Sequence, residues 1–233
     1  MAIIRYARAS DCTHGALSRL AGNCRMHEQF WEQLGRLDRM ETARRAGCRY
    51  LAECDSFAIF LLNREYLVDP AQRTIRTFAD TPEARSAGYL EQLCILAYLV
   101  NARDLPPSDT LVGAERLDPG GFFFRGSHAL STEKLTGVFG SDPQLLHKVG
   151  HVLNAVSGTD AKCCVSTGDA SIKLSVLPRI SLIVIVWGAD DEFAARASIL
   201  FDRSASMQLP LDVLSAAATL TVDIIVSTAK AIV

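Results

Sequence analysis

The chain has 233 residues, of which 49% are hydrophobic and 21% are charged, a balance that is typical of globular proteins and argues against disorder. This length suits one ample domain or two small ones, and it is sufficient to bury a core. The net charge is −2 and no basic stripe is present beyond Arg44-Arg45, so we expect no nucleic-acid partner.

The sequence also argues against export and membrane insertion. The N-terminal MAIIRY lacks the apolar core and the cleavage pattern of a signal peptide. The most apolar stretch, 213–233, is interrupted by Asp223 and by several Ser and Thr residues, so we expect no membrane span. The protein is therefore expected to be cytoplasmic.

The first part of the chain is predicted to be helical and then stranded. Residues 14–47 carry apolar residues at the 3–4 spacing of a helix with one buried face. Asp38 and Glu41 have the spacing of a capping box that begins a second helix, and Gly47 is placed to end it. Three strands that form a small meander are predicted next, at 56–62, 65–68 and 74–78.

The middle of the chain is predicted to contain a buried helix and a long connection. Residues 86–102 show helical periodicity and are aliphatic enough to lie inside the domain. Residues 104–121 are rich in Pro, Asp and Gly, and a connection of this length is often functional. Further elements are predicted at 122–124 (a short strand), from Ser131 (a helix) and from Asp142-Pro143 to about Gly158 (a helix).

The last part has the clearest pattern. Residues 172–177 and 195–201 alternate between apolar and polar, whereas 180–187 is almost continuously apolar, which is typical of a central strand covered on both faces. A helix that is apolar nearly all round follows Pro210, and it is either a core helix or half of a subunit interface. We therefore predict an α+β fold with a mostly antiparallel sheet, as a single domain over 1–233 with a soft boundary near 104–121.

The segments LPRISLIVIVWGADDEF at 177–193 and ASILFD at 197–202 resemble a prokaryotic family, the domain of unknown function 3786. The resemblance extends over roughly Tyr66 to Ile225, and the family is associated with anaerobic bacteria and archaea. It implies no established activity. Relatives fused to cysteine-rich iron–sulfur segments hint at cofactor or redox metabolism, but the cofactor of this chain stays unknown.

An acidic site is predicted at one end of the three-stranded meander. There the start of the first strand lies beside the end of the second, which brings Asp169 towards the turn Asp190-Asp191-Glu192. Carboxylates suit Mg²⁺, Mn²⁺ or Ca²⁺, or a ligand held by a carboxylate pair, but an acidic turn is also typical of a solvated hairpin connection. Phe193, in the same turn, is expected to pack on the sheet edge rather than on a ligand.

A second charged group is predicted at the opposite end of the same strands. Asp202 can approach Arg179 there, and the pair is expected to be structural. Pro178 suggests a bulge, and a bulge can re-aim Arg179 towards an anionic ligand instead. If the protein binds a ligand at either end of the meander, the candidate residues are these two together with Asp191, Glu192 and, as the alternative to packing on the sheet edge, Phe193.

Histidines and cysteines offer two weaker candidates for metal binding. His147 and His151 are four residues apart on a predicted helix, which is the spacing of a metal pair as well as of two surface histidines. In a reducing compartment the cysteines are expected to be buried free thiols, with metal or iron–sulfur ligation by the first four as the alternative. The seven cysteines are Cys12, Cys24, Cys48, Cys54, Cys94, Cys163 and Cys164.

Three functional hypotheses follow from these patterns. The first is an accessory or binding protein that handles a small molecule or cofactor in anaerobic metabolism. The second is a metal-assisted enzyme that uses Asp169, Asp190, Asp191 and Glu192. The third is a structural homodimer or interaction module that associates through its C-terminal helix.

Overall fold

The computed structural model describes residues 17–77, 85–118, 123–124, 130–157 and 168–233, with side chains from position 27 onward. Within these ranges the chain forms seven α-helices and two antiparallel sheets, which confirms the predicted α+β class. The helices are α1 (Leu17–Arg36), α2 (Arg39–Ala46), α3 (Tyr89–Asn101), α4 (Glu133–Phe139), α5 (Leu145–Val152), α6 (Ala205–Gln208) and α7 (Leu211–Ile232).

The first sheet is the predicted meander with one strand added. Its order is β1-β2-β3-β4, and the β2–β3 turn has positive φ at both central residues, Leu62 and Asn63, which is the geometry of a tight hairpin. Strand β1 was not predicted, because three residues are too few to show a strand pattern. The strands are β1 (Arg49–Leu51), β2 (Ser56–Leu61), β3 (Arg64–Asp69) and β4 (Thr74–Thr77).

The second sheet has the order β5-β9-β8-β7-β6, and the predicted meander forms its centre. Strand β8 is covered on both faces as expected: Val184 belongs to the main core and Ile185 to a small cluster on the opposite face. The strands are β5 (Leu111–Gly113), β6 (Val156–Ser157), β7 (Ala170–Leu177), β8 (Ile180–Trp187) and β9 (Arg196–Asp202).

Three predictions for the middle of the chain were wrong. The connection 104–121 contains a strand, β5, which pairs with the end of β9. Phe123 and Phe124 lie in a turn rather than a strand, and Phe122 is outside the described residues. Helix α5 begins after Asp142-Pro143 and ends at Val152, because the chain turns at Asn154 with φ of 52° and enters β6. Gly158 also lies outside the described residues.

Helix α7 lies in the core, where it packs against α3, α4, α5 and α6. Its buried residues recur at helical spacing, from Val213 and Leu214 to Ala229. Among the described helices, it is the one that is long and apolar enough to cross a membrane by length and composition. A core helix has the same composition, and 44% of the most apolar 18-residue window of α7 is buried here.

The two sheets are joined at a bulge in β7. The pairing with β8 shifts between Ser175 and Leu177, and the carbonyl of Val176 instead accepts a hydrogen bond from the Leu62 amide at 2.9 Å. The Asn63 side chain also donates to the Leu153 carbonyl, beyond the end of α5. The β2–β3 hairpin is thereby fixed to the second sheet.

Helix α2 begins and ends as its sequence predicts. The Asp38 carboxylate accepts the Glu41 amide at 2.8 Å, and Gly47 ends the helix with φ of 63°. The amides of Cys48 and Gly47 then satisfy the carbonyls of Ala43 and Arg44.

Arg179, in the β7–β8 turn, donates hydrogen bonds to carbonyl groups in the last turn of α2. Its Nε donates to the Arg45 carbonyl at 2.8 Å, and its Nη2 donates to the Arg44 carbonyl and, at 2.6 Å, to Asp104. The buried Tyr98 hydroxyl donates to the Ala46 carbonyl and accepts the Arg179 amide. All four terminal carbonyls of α2 therefore have partners, and a cation lies at the negative end of the helix.

A buried carboxylate fixes the start of α3. Glu91 is only 7% exposed and accepts hydrogen bonds from the Tyr66 hydroxyl, the Arg85 guanidinium and the Gly88 amide, each between 2.6 and 2.8 Å. Burial alone would raise the pKa of Glu91, but these hydrogen bonds and the charge of Arg85 hold that pKa below its ordinary value. The folded structure therefore stabilises Glu91 in its ionised form.

Replacing Arg179 should destabilise the protein, because it would remove the donor to the Arg45 carbonyl and the ion pair with Asp104. We expect Arg179→Ala to lower the free energy of unfolding by about 2–3 kcal/mol, measured by urea denaturation. Arg203→Ala is the matched control, since that side chain is exposed and no salt bridge involves it in the described part of the chain. Equal effects of the two substitutions would contradict the capping role of Arg179.

Glu91 should make stability depend on acid pH. A carboxyl with a lowered folded-state pKa stabilises the fold above its unfolded pKa of about 4.3, and this contribution is lost as pH falls through the folded pKa. We expect Glu91→Gln to cost about 1–3 kcal/mol at pH 7. The difference from wild type should shrink in urea denaturation at acid pH. The exposed Glu53→Gln control should show no such convergence.

Candidate functional site

The acidic turn lies where β8 ends and β9 approaches, and we name residues 188–195 the acidic loop. Asp169 approaches it as predicted: its Oδ2 accepts the Gly188 amide at 2.7 Å, at the start of the loop. Asp190 Oδ1 accepts the amides of Glu192 and Phe193 at 2.9 and 2.7 Å. Two of the four predicted carboxylates therefore hold the backbone of the loop itself.

The predicted metal ligands do not come together as a set. Among the described residues, no group of three or more His, Cys, Asp or Glu side chains could hold a metal ion. Asp191 and Glu192 are exposed at the tip of the acidic loop. His147 Nδ1 lies 2.7 Å from the Ser157 hydroxyl, whereas His151 is exposed.

Phe193 does not pack on the sheet edge, so that prediction was wrong. Its side chain is 68% exposed, the largest exposure of any aromatic residue in the described ranges. The cause is the Asp190 turn, which closes with a hydrogen bond from the Asp190 amide to the Phe193 carbonyl at 3.0 Å. The ring is therefore exposed beside Asp191 and Glu192, whose carboxylates take part in no salt bridge within the described part of the chain.

The base of the acidic loop rests on the C-terminal end of α4. The Ala189 amide donates to the Gly140 carbonyl at 3.0 Å. A Cβ on Gly140 would lie 2.6 Å from the Ala195 Cβ, so only glycine allows this close approach. The Gln144 side chain adds a bond to the Asp169 carbonyl at 3.0 Å. Phe193 is thus presented from a fixed support.

The second predicted charge pair does not form. Arg179 is held by α2 and Asp104, and Asp202 is held by two serines instead. Asp202 Oδ1 accepts the amide and hydroxyl of Ser108 at 3.0 and 2.9 Å, and those of Ser204 at 2.8 and 2.5 Å. Burial alone would raise the pKa of Asp202, but these bonds keep it below its ordinary value.

Arg179 and Asp202 nevertheless line one small cavity on the outer face of the second sheet. Its volume is about 30 Å³, which is room for a water molecule or a small ion but not for an organic cofactor. The lining is Pro107, Asp109, Leu111, Lys173, Arg179, Ser181, Ile183 and Asp202. Arg179 and Asp202 were predicted to lie at the same end of the strands, whereas Lys173 and Asp109 were not predicted to join them.

A larger surface groove, which was not predicted, runs between α4 and α7. An ion pair between Lys134 Nζ and Asp223 Oδ1, 2.5 Å apart, crosses it and separates a pocket of about 80 Å³ from an open groove of about 530 Å³. The open part, which we name the α4–α7 groove, is lined by Lys134, Gly137, Val138, Asp223, Val226, Ser227 and Lys230. Its two walls are far apart in sequence, so no local pattern indicates it.

The described cysteines show no common site. Cys94 is buried and Cys48 half-buried, and burial raises the pKa of each thiol to about 12, so both are protonated at neutral pH. Cys54 is exposed, so the expectation of burial was wrong for it. The other cysteine side chains, Cys12, Cys24, Cys163 and Cys164, lie outside the described residues.

Comparison with known proteins supports the resemblance seen in the β7–β9 segments. No significant match was found among curated proteins or among solved structures. The family described as "Domain of unknown function (DUF3786)" matches residues 38–223, from the cap of α2 to the middle of α7. This range contains both sheets, the acidic loop and four of the seven residues that line the α4–α7 groove, and the chain belongs to that family.

Proposed function

We propose that this protein is a cytoplasmic binding protein whose α4–α7 groove receives an amphipathic anion. Such a ligand has an apolar body and a carboxylate, phosphate or sulfonate group. The observation that supports the proposal is the groove itself, an open surface groove whose volume of about 530 Å³ is sufficient for a small organic ligand. A role as an accessory protein that handles a cofactor in anaerobic metabolism is the wider form of the same proposal.

The chemistry of the groove supports this class of ligand. Val138 and Val226 provide apolar surface, and Gly137 contributes no side chain, so the floor is open above it. Lys230 is exposed and takes part in no salt bridge among the described residues, which leaves a cation at the rim. Apolar surface with a few polar groups that fix orientation is the usual composition of a ligand site.

Three of the charged side chains predicted to bind a ligand or a metal have structural hydrogen-bonding roles instead. Arg179 caps α2, Asp202 holds two serines, and Asp190 shapes the acidic loop. These roles favour binding at the groove over the metal-assisted chemistry suggested by the acidic turn.

A matched pair of glycine substitutions tests the groove. Gly137 and Gly35 both lie in helices with nothing within 4 Å of an added Cβ. Gly137→Phe should fold normally and fill the groove, whereas Gly35→Phe adds the same ring on α1. With the fluorescent aromatic anion 8-anilinonaphthalene-1-sulfonate, we expect Gly137→Phe to weaken saturable binding about tenfold or more, and Gly35→Phe to leave it unchanged.

Charge is tested in the same titration. Lys230→Glu should weaken binding of the sulfonate and reverse the sign of its salt dependence, because the rim cation attracts the anion whereas a carboxylate at the same position repels it. Lys148→Glu, an exposed lysine on α5, is the control. Binding that responds equally to both glycine variants, or to neither, would refute the groove as the site.

A further inference from the structure

We infer that the α4–α7 groove receives the acidic loop of a second copy of this chain, so that two copies form a dimer by exchanging Phe193. The inference rests on the proposed function, because it names the amphipathic anion that the groove binds. It also specifies how the C-terminal helix takes part in association: α7 supplies one wall of the groove through Val226, Ser227 and Lys230.

The acidic loop has the chemistry of the ligand. Phe193 is an apolar ring that is 68% exposed, and Asp191 and Glu192 beside it are exposed carboxylates without a salt bridge among the described residues. An exposed aromatic residue on a fixed turn is typical of an anchor that fills a pocket on a partner. The hydrogen bonds of Asp190 hold the loop in shape before binding, which lowers the entropic cost of association.

The groove has the complementary chemistry. Its charged lining residues are two lysines and one aspartate, against three acidic residues and no basic residue at positions 190–193 of the loop. Lys134 already faces Asp223, so the cation available for a new ion pair is Lys230. Opposite charges around an apolar anchor favour one orientation of the loop in the groove.

The positions of loop and groove favour a closed dimer. The acidic loop rests on Gly140, while Gly137 and Val138 of the groove lie within one turn of the same end of α4. Because donor and acceptor surfaces are neighbours, a twofold axis between two copies lets each loop enter the groove of the other. Such a reciprocal contact is the same for both copies and closes on itself, whereas a head-to-tail contact would give a ring or an open filament.

Light scattering after size exclusion tests the exchange with the full chain. We expect wild type at twice the chain mass of 25.3 kDa, and both Phe193→Ala and Gly137→Phe at the chain mass. Phe60→Ala, which removes another exposed ring on the first sheet, should leave the dimer intact. The Phe193→Ala variant retains an open groove, and the Gly137→Phe variant retains Phe193. Mixing the two variants should therefore give a heterodimer, in which Phe193 of the Gly137→Phe copy enters the groove of the Phe193→Ala copy.

The outcomes separate this inference from the proposed function. A monomeric wild type, or a dimer that survives either Phe193→Ala or Gly137→Phe, overturns the exchange. In Phe193→Ala no aromatic ring competes for the groove, so 8-anilinonaphthalene-1-sulfonate should bind it at least as tightly as wild type. If the wild type is monomeric but Phe193→Ala binds the sulfonate, the dimer is refuted and the proposed function stands. If Phe193→Ala does not bind the sulfonate, the proposed function is overturned as well.

Discussion

The contact between the β7–β8 turn and the C-terminal end of α2 holds the two halves of the molecule together. A helix end leaves carbonyl groups that must find hydrogen-bond donors when it is covered by protein. Here Arg179 and Tyr98 supply those donors from the second sheet and from α3. The same helix end therefore orients both sheets around one apolar core, which contains residues from α1 to α7.

Most of the charged residues that were predicted to bind a metal or a ligand instead stabilise the fold. Arg179 and Asp202 lie at the same end of the β7–β9 strands but satisfy backbone groups in different segments. Asp169 and Asp190 do the same at the other end, where they fix the acidic loop. Glu91 shows the general reason: a buried carboxylate is stable only when several donors surround it, so its surroundings become part of the fold.

The features available for binding are side chains and surfaces that the fold holds in place but that take no part in stabilising it. Phe193 and the carboxylates beside it stand on a loop whose base is tied to α4. The α4–α7 groove begins at the same end of that helix. A rigid loop and an apolar groove of complementary charge thus share one support, and this arrangement gives recognition a fixed geometry.

Local patterns in the sequence were sufficient for much of the fold. The capping residues of α2, the alternation in β7 and the apolar run of β8 each identify their element, because short-range sterics and burial act on neighbouring residues. The two ends of the meander were also predictable, since antiparallel pairing follows from strand order. Strands β1, β5 and β6 were missed, because two or three residues take their structure from the neighbour they pair with.

The site was harder to predict than the fold. The sequence by itself determined that acidic residues and Phe193 would share one turn. Only the tertiary structure decided that the ring faces solvent, that Arg179 binds α2 rather than Asp202, and that α4 and α7 enclose a groove. The ion pair across that groove joins residues 89 positions apart. Such contacts depend on how whole helices pack, which no local pattern of residues encodes.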